Sequence, residues 1–473
     1  MPDFDLIIRG GDVVFPCPKM APFGDGSLQQ VIQDYTSGIE RMDIAICDGK
    51  IAAIETDLRH STRQTIDASG LHVFPGLIDS HVHFNEPGRA EWEGFETGSN
   101  ALAAGGGTMF FDMPLNAHPP TLDAASFDQK LACAQRASLV DFAFWGGIVP
   151  GNLNRLEELS DRGVIGFKAF MSSSGIDDFP RADDRTLREG MKRAAGLGKI
   201  VAVHAESESI ISELAQQSIT AGKITARDYL DSRPERAEFD AIQRALEIAG
   251  ETDCALHIVH VSSPDSISAI MLASSQGVDV SCETCPHYLL LTDEDMERIG
   301  PLAKCAPPLR PKDSQIGLWR CLSLGDIMTI GSDHSPAPLD LKTDSNFFKV
   351  WGGIASVQHT LPLLITKNHL GVHVGLAHLA KLLAANVAER FDLEEKGEIK
   401  VGSDADLALI DLQQTFDVVP EDLLYRHPHT PYLGRRLTGK VVQTILRGQT
   451  VFKDGKIVSK PLGRLVRPIQ SFQ

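Results

Sequence analysis

The sequence predicts a (β/α)8 barrel, accompanied by a small β-sandwich built from both chain termini. Two observations predict the barrel. Apolar strand-like runs alternate with segments of helical spacing such as residues 237–249, and ligand-type side chains stand near the carboxyl ends of those runs. Strands that alternate with helices form parallel βα units, and a barrel of such units carries its functional residues at the carboxyl ends of its strands. A third observation, alternating strand patterns near both termini, predicts the sandwich.

The first barrel strand is expected in the apolar run of residues 71–83, which ends in His81-Val-His83. Side chains in a strand alternate between its two faces, so both imidazoles point the same way. Neutral imidazole is the commonest metal ligand in proteins, and two that converge at one strand end can begin a metal site. Taken alone, such a pair more often marks a surface or core position, so the interpretation depends on further ligands along the chain.

Four later strand patterns each carry a further ligand-type residue. They are the runs 166–171, 200–206, 256–262 and 326–336, which contain Lys168, His204, His260 and Asp333. Because the carboxyl ends of barrel strands meet at one mouth, we expect these four residues to converge there with His81 and His83. The sequence therefore predicts a metal site made of four histidines, a lysine and an aspartate.

Lys168 is unusual because it lies inside an apolar strand pattern. A buried lysine is costly unless it is neutralised or paired, so one interpretation is an ion pair or an ammonium that reaches solvent. The other is that its unprotonated amine has added CO2 to form a carbamate, an anion that can bridge two divalent metal ions. With four histidines and an aspartate at neighbouring strand ends, we favour the carbamate.

Four segments near the two ends of the chain alternate like strands around glycine turns. They are residues 5–14, 43–54, 402–411 and 441–452. We therefore expect three parts: residues 1–74 as the N-terminal part of the sandwich, 75–390 as the barrel, and 391–473 as the C-terminal part of the sandwich and a tail. Residues 16–41 are rich in Pro, Gly and polar residues, which indicates an insertion between the first strands.

The composition restricts the partners and the compartment. The chain has 473 residues, 42% of them hydrophobic, and its 45 basic and 63 acidic residues give a formal net charge of −18, which disfavours nucleic acid and anionic membranes as partners. It has no run of eighteen apolar residues, so no membrane-spanning helix is expected, and its N-terminus lacks the pattern of a secretory signal. Its eight cysteines are scattered, which indicates reduced thiols and a cytoplasmic location.

Together these motifs identify the chain as similar to the cyclic amidohydrolases, the family of dihydroorotases, hydantoinases and allantoinases. The resemblance covers nearly the whole chain, and residues 282–288 and 304–310 look like two further signatures of that family. It implies that the strand lysine is carboxylated and that two divalent metal ions are bound. Zinc is expected, and manganese, cobalt or iron(II) would fit. Carried over by motif, the metal ligands are His81, His83, carboxylated Lys168, His204, His260 and Asp333.

Particular positions separate the branches of this family. Dihydroorotases carry an arginine and a histidine at the places of Asn85 and Ala337, and hydantoinases carry a tyrosine at the place of Ser173. Three segments are instead similar to the allantoinase pattern: 83–95, 112–116 and 430–435. The resemblance therefore implies hydrolysis of a small cyclic ureide, allantoin, to allantoate. A hydantoinase or dihydropyrimidinase is the enzymatic alternative, and a non-catalytic scaffold protein, as some relatives of the hydantoinases are, is the alternative of another class.

The expected mechanism uses a hydroxide that bridges the two metal ions and attacks the ring carbonyl. Asp333 is the expected proton shuttle, since one of its carboxylate oxygens stays free to move a proton from the water to the departing ring nitrogen. Positions where relatives contact substrate or line the cleft are Asn116, Ser173, Cys305 and the backbone of Ala306. An Asx-turn at Asn116 and turn hydrogen bonding at Ser173 explain those two residues equally well. The resemblance also suggests a homotetramer.

Overall fold

The computed structural model describes residues 3–16, 38–368 and 374–469 of the chain. These residues form two sheets, and helices lie between the strands of the second sheet. Most of the expected insertion, residues 17–37, lies outside the described residues. Within the described part of the chain, no helix is long and apolar enough to span a membrane.

The two ends of the chain form a mixed sheet of nine strands among the described residues. Its strands are β1 (Phe4–Val14), β2 (Ile39–Cys47), β3 (Lys50–Glu55), β4 (Thr62–Asp67), β5 (His72–Pro75), β14 (Leu407–Asp417), β15 (Arg436–Leu446), β16 (Gln449–Lys453) and β17 (Lys456–Ile457). β5 pairs in parallel with β1 and antiparallel with β14, so the sheet joins strands from both termini. Leu6, Ile8, Ile44 and Leu407 are buried in its core. The predicted sandwich domain is confirmed.

The second sheet consists, in the described ranges, of eight parallel strands that lie side by side in chain order. They are β6 (Leu77–Val82), β7 (Gly107–Asp112), β8 (Asp141–Gly147), β9 (Gly166–Phe170), β10 (Val201–His204), β11 (Leu256–Ile258), β12 (Val280–Thr284) and β13 (Thr329–Ile330). A parallel bridge between Val82 and His334 brings β6 against the chain just after β13, so the sheet is nearly closed. The predicted (β/α)8 barrel is confirmed.

Helices connect the barrel strands and bury one face each. In the helix Glu235–Thr252, the alanines 237, 241, 245 and 249 follow one another at one-turn spacing and are all buried, which is the stripe expected of a helix packed on a barrel. The α-helices of the described residues are Phe95–Ala104, Ala124–Ala137, Leu156–Arg162, Asp184–Gly196, Glu208–Thr220, Ala226–Asp231, Glu235–Thr252, Pro264–Ser275, Pro286–Leu290, Asp293–Ile299, Lys312–Leu324, Thr360–Asn368, Leu376–Ala380 and Asn386–Arg390.

A buried ion cluster joins the amino end of the barrel to the terminal sheet. Lys396 Nζ lies 2.7 Å from a carboxylate oxygen of each of Asp141, Asp404 and Asp406. Asp141 begins β8, and Asp406 directly precedes β14. Burial lowers the pKa of the Lys396 ammonium, but the three carboxylates outweigh burial and raise it. The cluster therefore keeps a charged lysine at the contact between the two parts of the fold.

Replacing Lys396 by methionine should lower the free energy of unfolding by about 3 kcal/mol, because a buried ion cluster that loses one partner keeps uncompensated charge. Urea denaturation at neutral pH measures the change. The matched control is Lys400→Met, since the Lys400 side chain is 57% exposed and pairs with Glu398 at the surface. This control should change the stability by less than about 0.5 kcal/mol. Equal effects of the two substitutions would contradict a stabilising role of the cluster.

Candidate metal centre

The six expected ligands lie together at the carboxyl end of the barrel. They lie within a barrel strand or in the loop directly after one: His81 and His83 at β6, Lys168 in β9, His204 at the end of β10, His260 after β11 and Asp333 after β13. All except Lys168 line one cavity of about 390 Å³. Lys168 is fully buried beside that cavity, with its Nζ 5.1 Å from the ring centre of Phe170, which lines the wall.

Asp333 lies beside the two histidines of the first barrel strand. Its Oδ1 is 3.2 Å from His81 Nε2 and 3.4 Å from His83 Nε2. Burial raises the pKa of Asp333, but the two imidazoles outweigh burial and lower it to about 2. The candidate ligand atoms of the three residues lie within 4.8 Å of one another. A charged carboxylate beside two imidazoles is a donor set that suits a divalent cation.

His204 and His260 form a second pair of converging imidazoles. Nδ1 of His204 lies 3.0 Å from Nε2 of His260. Burial lowers the pKa of His204, and burial together with the neighbouring His204 lowers the pKa of His260 well below its usual value. Both rings are therefore neutral at pH 7, which is the form that ligates a metal. The His204 ring also stacks on Phe170, with 4.4 Å between ring centres, and this contact fixes its orientation.

Backbone strain marks the same region of the barrel. Asn85, Asn116, His260 and Asp333 have positive φ angles of 65°, 66°, 42° and 46°. They follow four different barrel strands, namely β6, β7, β11 and β13. Residues other than glycine rarely adopt this conformation, and such residues persist where the surrounding structure imposes it, typically at functional sites. The carboxyl end of the barrel therefore bears strained loops where the ligand-type side chains meet.

Lys168 has no hydrogen-bonding partner among the described residues. Its side chain is 0% exposed, and its Nζ makes no hydrogen bond to any described residue. Burial lowers the pKa of this amine to about 7, although the carboxylates of Glu283 and Asp333 act to raise it. An amine that loses its proton near neutral pH can add CO2, and a carbamate would supply two oxygens next to Asp333. The two imidazole pairs, Asp333 and Lys168 therefore fit two divalent cations.

Two carboxylates that were not predicted from the sequence orient the histidines. Glu283 Oε1, on β12, lies 2.6 Å from His81 Nδ1, and Glu206 Oε2 lies 2.9 Å from His204 Nε2. Each contact leaves the other ring nitrogen free to face the neighbouring ligand. Burial raises the pKa of Glu206, but Arg233 and His204 outweigh burial and lower it to about 2. The sequence offered one signal that could have identified Glu206. This residue stands two positions after His204 in the same strand pattern.

The four expected substrate-binding residues line the same cavity: Asn116, Ser173, Cys305 and Ala306. Asn116 Nδ2 lies 3.5 Å from Ser335 Oγ, on the loop after β13. Ser173 Oγ accepts a long hydrogen bond of 3.4 Å from the backbone N–H of Gly175, which is the turn bonding that the sequence left open. The structure thus brings all four residues to the cavity wall, and their contact with a substrate stays a prediction.

Two buried lysines shape one rim of the cavity. Lys304 Nζ donates to the backbone carbonyls of Phe347 at 2.7 Å and Val350 at 2.6 Å. Lys342 Nζ donates to the carbonyls of Trp351 at 3.0 Å and Gly353 at 2.7 Å. These contacts fix the backbone of residues 347–353, of which residues 348–353 line the cavity. Neither lysine was predicted to have this role.

Comparison of the sequence with known proteins finds close relatives. The amidohydrolase family model matches residues 72–451. The chain is 52% identical over 468 residues to an allantoinase of Rubrobacter xylanophilus, and the alignment covers 99% of this chain and 98% of that protein. It is 47% identical over 465 residues to an allantoinase of Deinococcus radiodurans, and this alignment covers 98% of this chain and 99% of that protein.

Solved structures share the whole fold. L-Hydantoinase (dihydropyrimidinase) from Arthrobacter aurescens superposes with a TM-score of 0.91 at 35% sequence identity, over 98% of this chain and 100% of that chain. Dihydropyrimidinase from Brevibacillus agri superposes with a TM-score of 0.87 at 29% identity, over 98% of each chain. Both the barrel and the terminal sheet therefore have counterparts in these structures.

Proposed function

Since the chain belongs to the amidohydrolase family, and is thus a hydrolase acting on cyclic amide bonds, we propose that it opens the hydantoin ring of allantoin to give allantoate. The observation that carries the proposal is the convergence of His81, His83, His204, His260 and Asp333 on one cavity beside the unpartnered amine of Lys168. The 52% identity to an allantoinase over nearly the full chain supports allantoin as the substrate.

The residues that would hold two divalent metal ions fall into two groups. His81, His83 and Asp333 would bind one ion, His204 and His260 the other, and a carbamate on Lys168 would contact both. When bound, the ions would supply a water that ionises near neutral pH and would polarise the carbonyl under attack. Zinc suits this set of donors, and manganese, cobalt or iron(II) would also fit.

Asp333 would move the proton during ring opening. Its Oδ1 lies beside His81 and His83, whereas its Oδ2 makes no hydrogen bond to any described residue. The low pKa keeps this carboxylate charged at neutral pH. Oδ2 would therefore take the proton from the attacking water and donate it to the departing ring nitrogen.

The remaining cavity wall would bind the ring. A hydantoin ring is flat and offers both N–H donors and carbonyl acceptors, so it needs short polar groups and exposed backbone. Asn116, Ser173, Cys305 and the backbone of Ala306 supply such groups from three different loops. The side chains of Leu115 and Phe170 give the wall an apolar surface against which a ring can pack. The expected homotetramer stays a prediction.

A hydantoinase or dihydropyrimidinase is the second candidate, and it is favoured by the structural match to L-hydantoinase from Arthrobacter aurescens at a TM-score of 0.91. The discriminating experiment measures ring-opening rates of the metal-loaded protein on allantoin, dihydroorotate, hydantoin and dihydrouracil. Fast turnover of allantoin alone would support the proposal. Preference for hydantoin or dihydrouracil would keep the chemistry and replace the substrate. Metal binding without turnover of any of the four would favour the non-catalytic alternative.

A further inference from the structure

One helix contributes a whole face to the cavity wall. In the helix Glu208–Thr220, the residues that line the cavity are Glu208, Ile211, Ser212 and Ala215. Their spacing of three, four and seven residues places them on the same side of the helix. Ile211 is buried, Glu208 is half-buried and Ser212 is exposed, so this face runs from the interior of the cavity to its mouth.

Glu208 is a carboxylate on this wall that forms no ion pair with any described residue, although it lies close enough to Arg233 for the two charges to interact. Its Oε2 accepts a hydrogen bond of 2.8 Å from the backbone N–H of Ser173, while its Oε1 makes no hydrogen bond or ion pair with any described residue. The nearby guanidinium of Arg233 pairs with Glu206 instead. The Lys304 ammonium, also on the cavity wall, is occupied by backbone carbonyls. Glu208 therefore offers a charged acceptor to a ligand in the cavity.

The substrate proposed above carries a matching donor. Allantoin is a hydantoin ring with a ureido arm at one carbon, and the arm ends in an amide NH2. If the ring carbonyl is attacked beside Asp333, the arm extends away from the buried histidines towards the mouth. Ser173, an exposed residue of the cavity wall, has a small side chain, so it would leave space for the arm. A terminal NH2 that leaves water needs an acceptor, and a carboxylate is the strongest one available.

We propose that Glu208 is the residue that selects the ureido arm, by accepting hydrogen bonds from its terminal NH2 through Oε1. This assignment rests on the proposed function, because it presupposes a substrate with that arm. Glu208 takes no part in attack on the ring carbonyl or in proton transfer. Its effect should therefore appear as a preference between substrates that differ only in the arm.

The test compares allantoin with 5-acetamidohydantoin, in which a methyl group replaces the terminal NH2. The variant is Glu208→Gln, whose amide oxygen can still accept from Ser173 N–H. Its kcat/KM on allantoin should fall by at least about tenfold, while that on the methyl analogue should change less than about threefold. If the analogue is not turned over, its competitive inhibition constant replaces kcat/KM. The matched control, Glu213→Gln, lies on the same helix outside the cavity and should leave both values unchanged.

Two outcomes would overturn the assignment. Equal losses on both substrates would show that Glu208 acts only by holding the loop of Ser173 or by stabilising the first turn of its helix. Unchanged kcat/KM on both substrates would show that the arm binds elsewhere. Failure of the proposed function is separate, since it would appear in the unmodified protein as turnover of hydantoin without turnover of allantoin.

Discussion

Lys168→Ala should lose most of its bound metal, and its turnover should fall by at least about 1000-fold. The fold should stay intact. A carbamate at this position would supply the anion shared by both ions, so its removal leaves only imidazoles and Asp333 to hold them. A loss of 1000-fold corresponds to about 4 kcal/mol, which is the order expected for removing metal assistance. The fold should be kept because the removed amine is buried and makes no hydrogen bond to any described residue.

The measurements are metal content per chain, turnover of allantoin and thermal unfolding. The matched control is Lys199→Ala. Lys199 is also buried, with 7% of the residue exposed, but its Nζ donates to the carbonyl of Val164 and it does not line the cavity. Short-chain carboxylic acids should restore part of the activity of Lys168→Ala, because a small carboxylate can occupy the vacated position. Metal and turnover equal to those of the unmodified protein would refute the carbamate.

The same amine gives a pH dependence that can be checked on the metal-free protein. Only the unprotonated amine reacts with CO2, and burial lowers the pKa of Lys168 to about 7. At a fixed concentration of dissolved CO2, recovery of activity after addition of metal should therefore be faster at about pH 8 than at about pH 6, since the reactive fraction of the amine rises through the pKa.

The barrel and most of the candidate centre follow from local patterns in the sequence. His81 and His83 could be paired because side chains in a strand alternate with a period of two. Lys168, His204, His260 and Asp333 could be added because the carboxyl ends of barrel strands converge in space. Neither inference requires knowledge of which residues are in contact. Both therefore predict correctly where these residues lie in the fold. The metal-binding role of these six residues stays a prediction.

The partners of these residues could not be derived in the same way. Glu283 contacts His81 across 202 positions of sequence, and the contact depends on how the nearly closed barrel brings together β12 and β6, which are not neighbours in the sheet order. Lys304 contacts the carbonyls of residues 347–350, in a loop without a repeating pattern. A strand period gives the face of a side chain but not the atom opposite it, so these supporting contacts appear only in three dimensions.

Asp333→Asn should lower kcat on allantoin by about 1000-fold and leave the fold unchanged. Asparagine keeps an oxygen that can face His81 and His83, so the local geometry should be retained. The neutral amide cannot accept the proton of the water, and loss of a general acid–base group costs about 100- to 10,000-fold. Metal content should fall less than in Lys168→Ala, because the imidazoles of both groups remain.

The comparison of these two variants separates the two roles given to the centre. If Asp333 only held metal, the activity of Asp333→Asn would recover when excess metal is added, whereas a proton shuttle predicts that kcat stays low at full metal content. The matched control is Asp231→Asn, since the Asp231 side chain is 65% exposed and its nearest cation, Arg227, is 3.9 Å away. Because proton transfer acts on the chemical step, the loss in Asp333→Asn should appear in kcat while KM changes little, and full recovery by metal would assign this residue to metal binding alone.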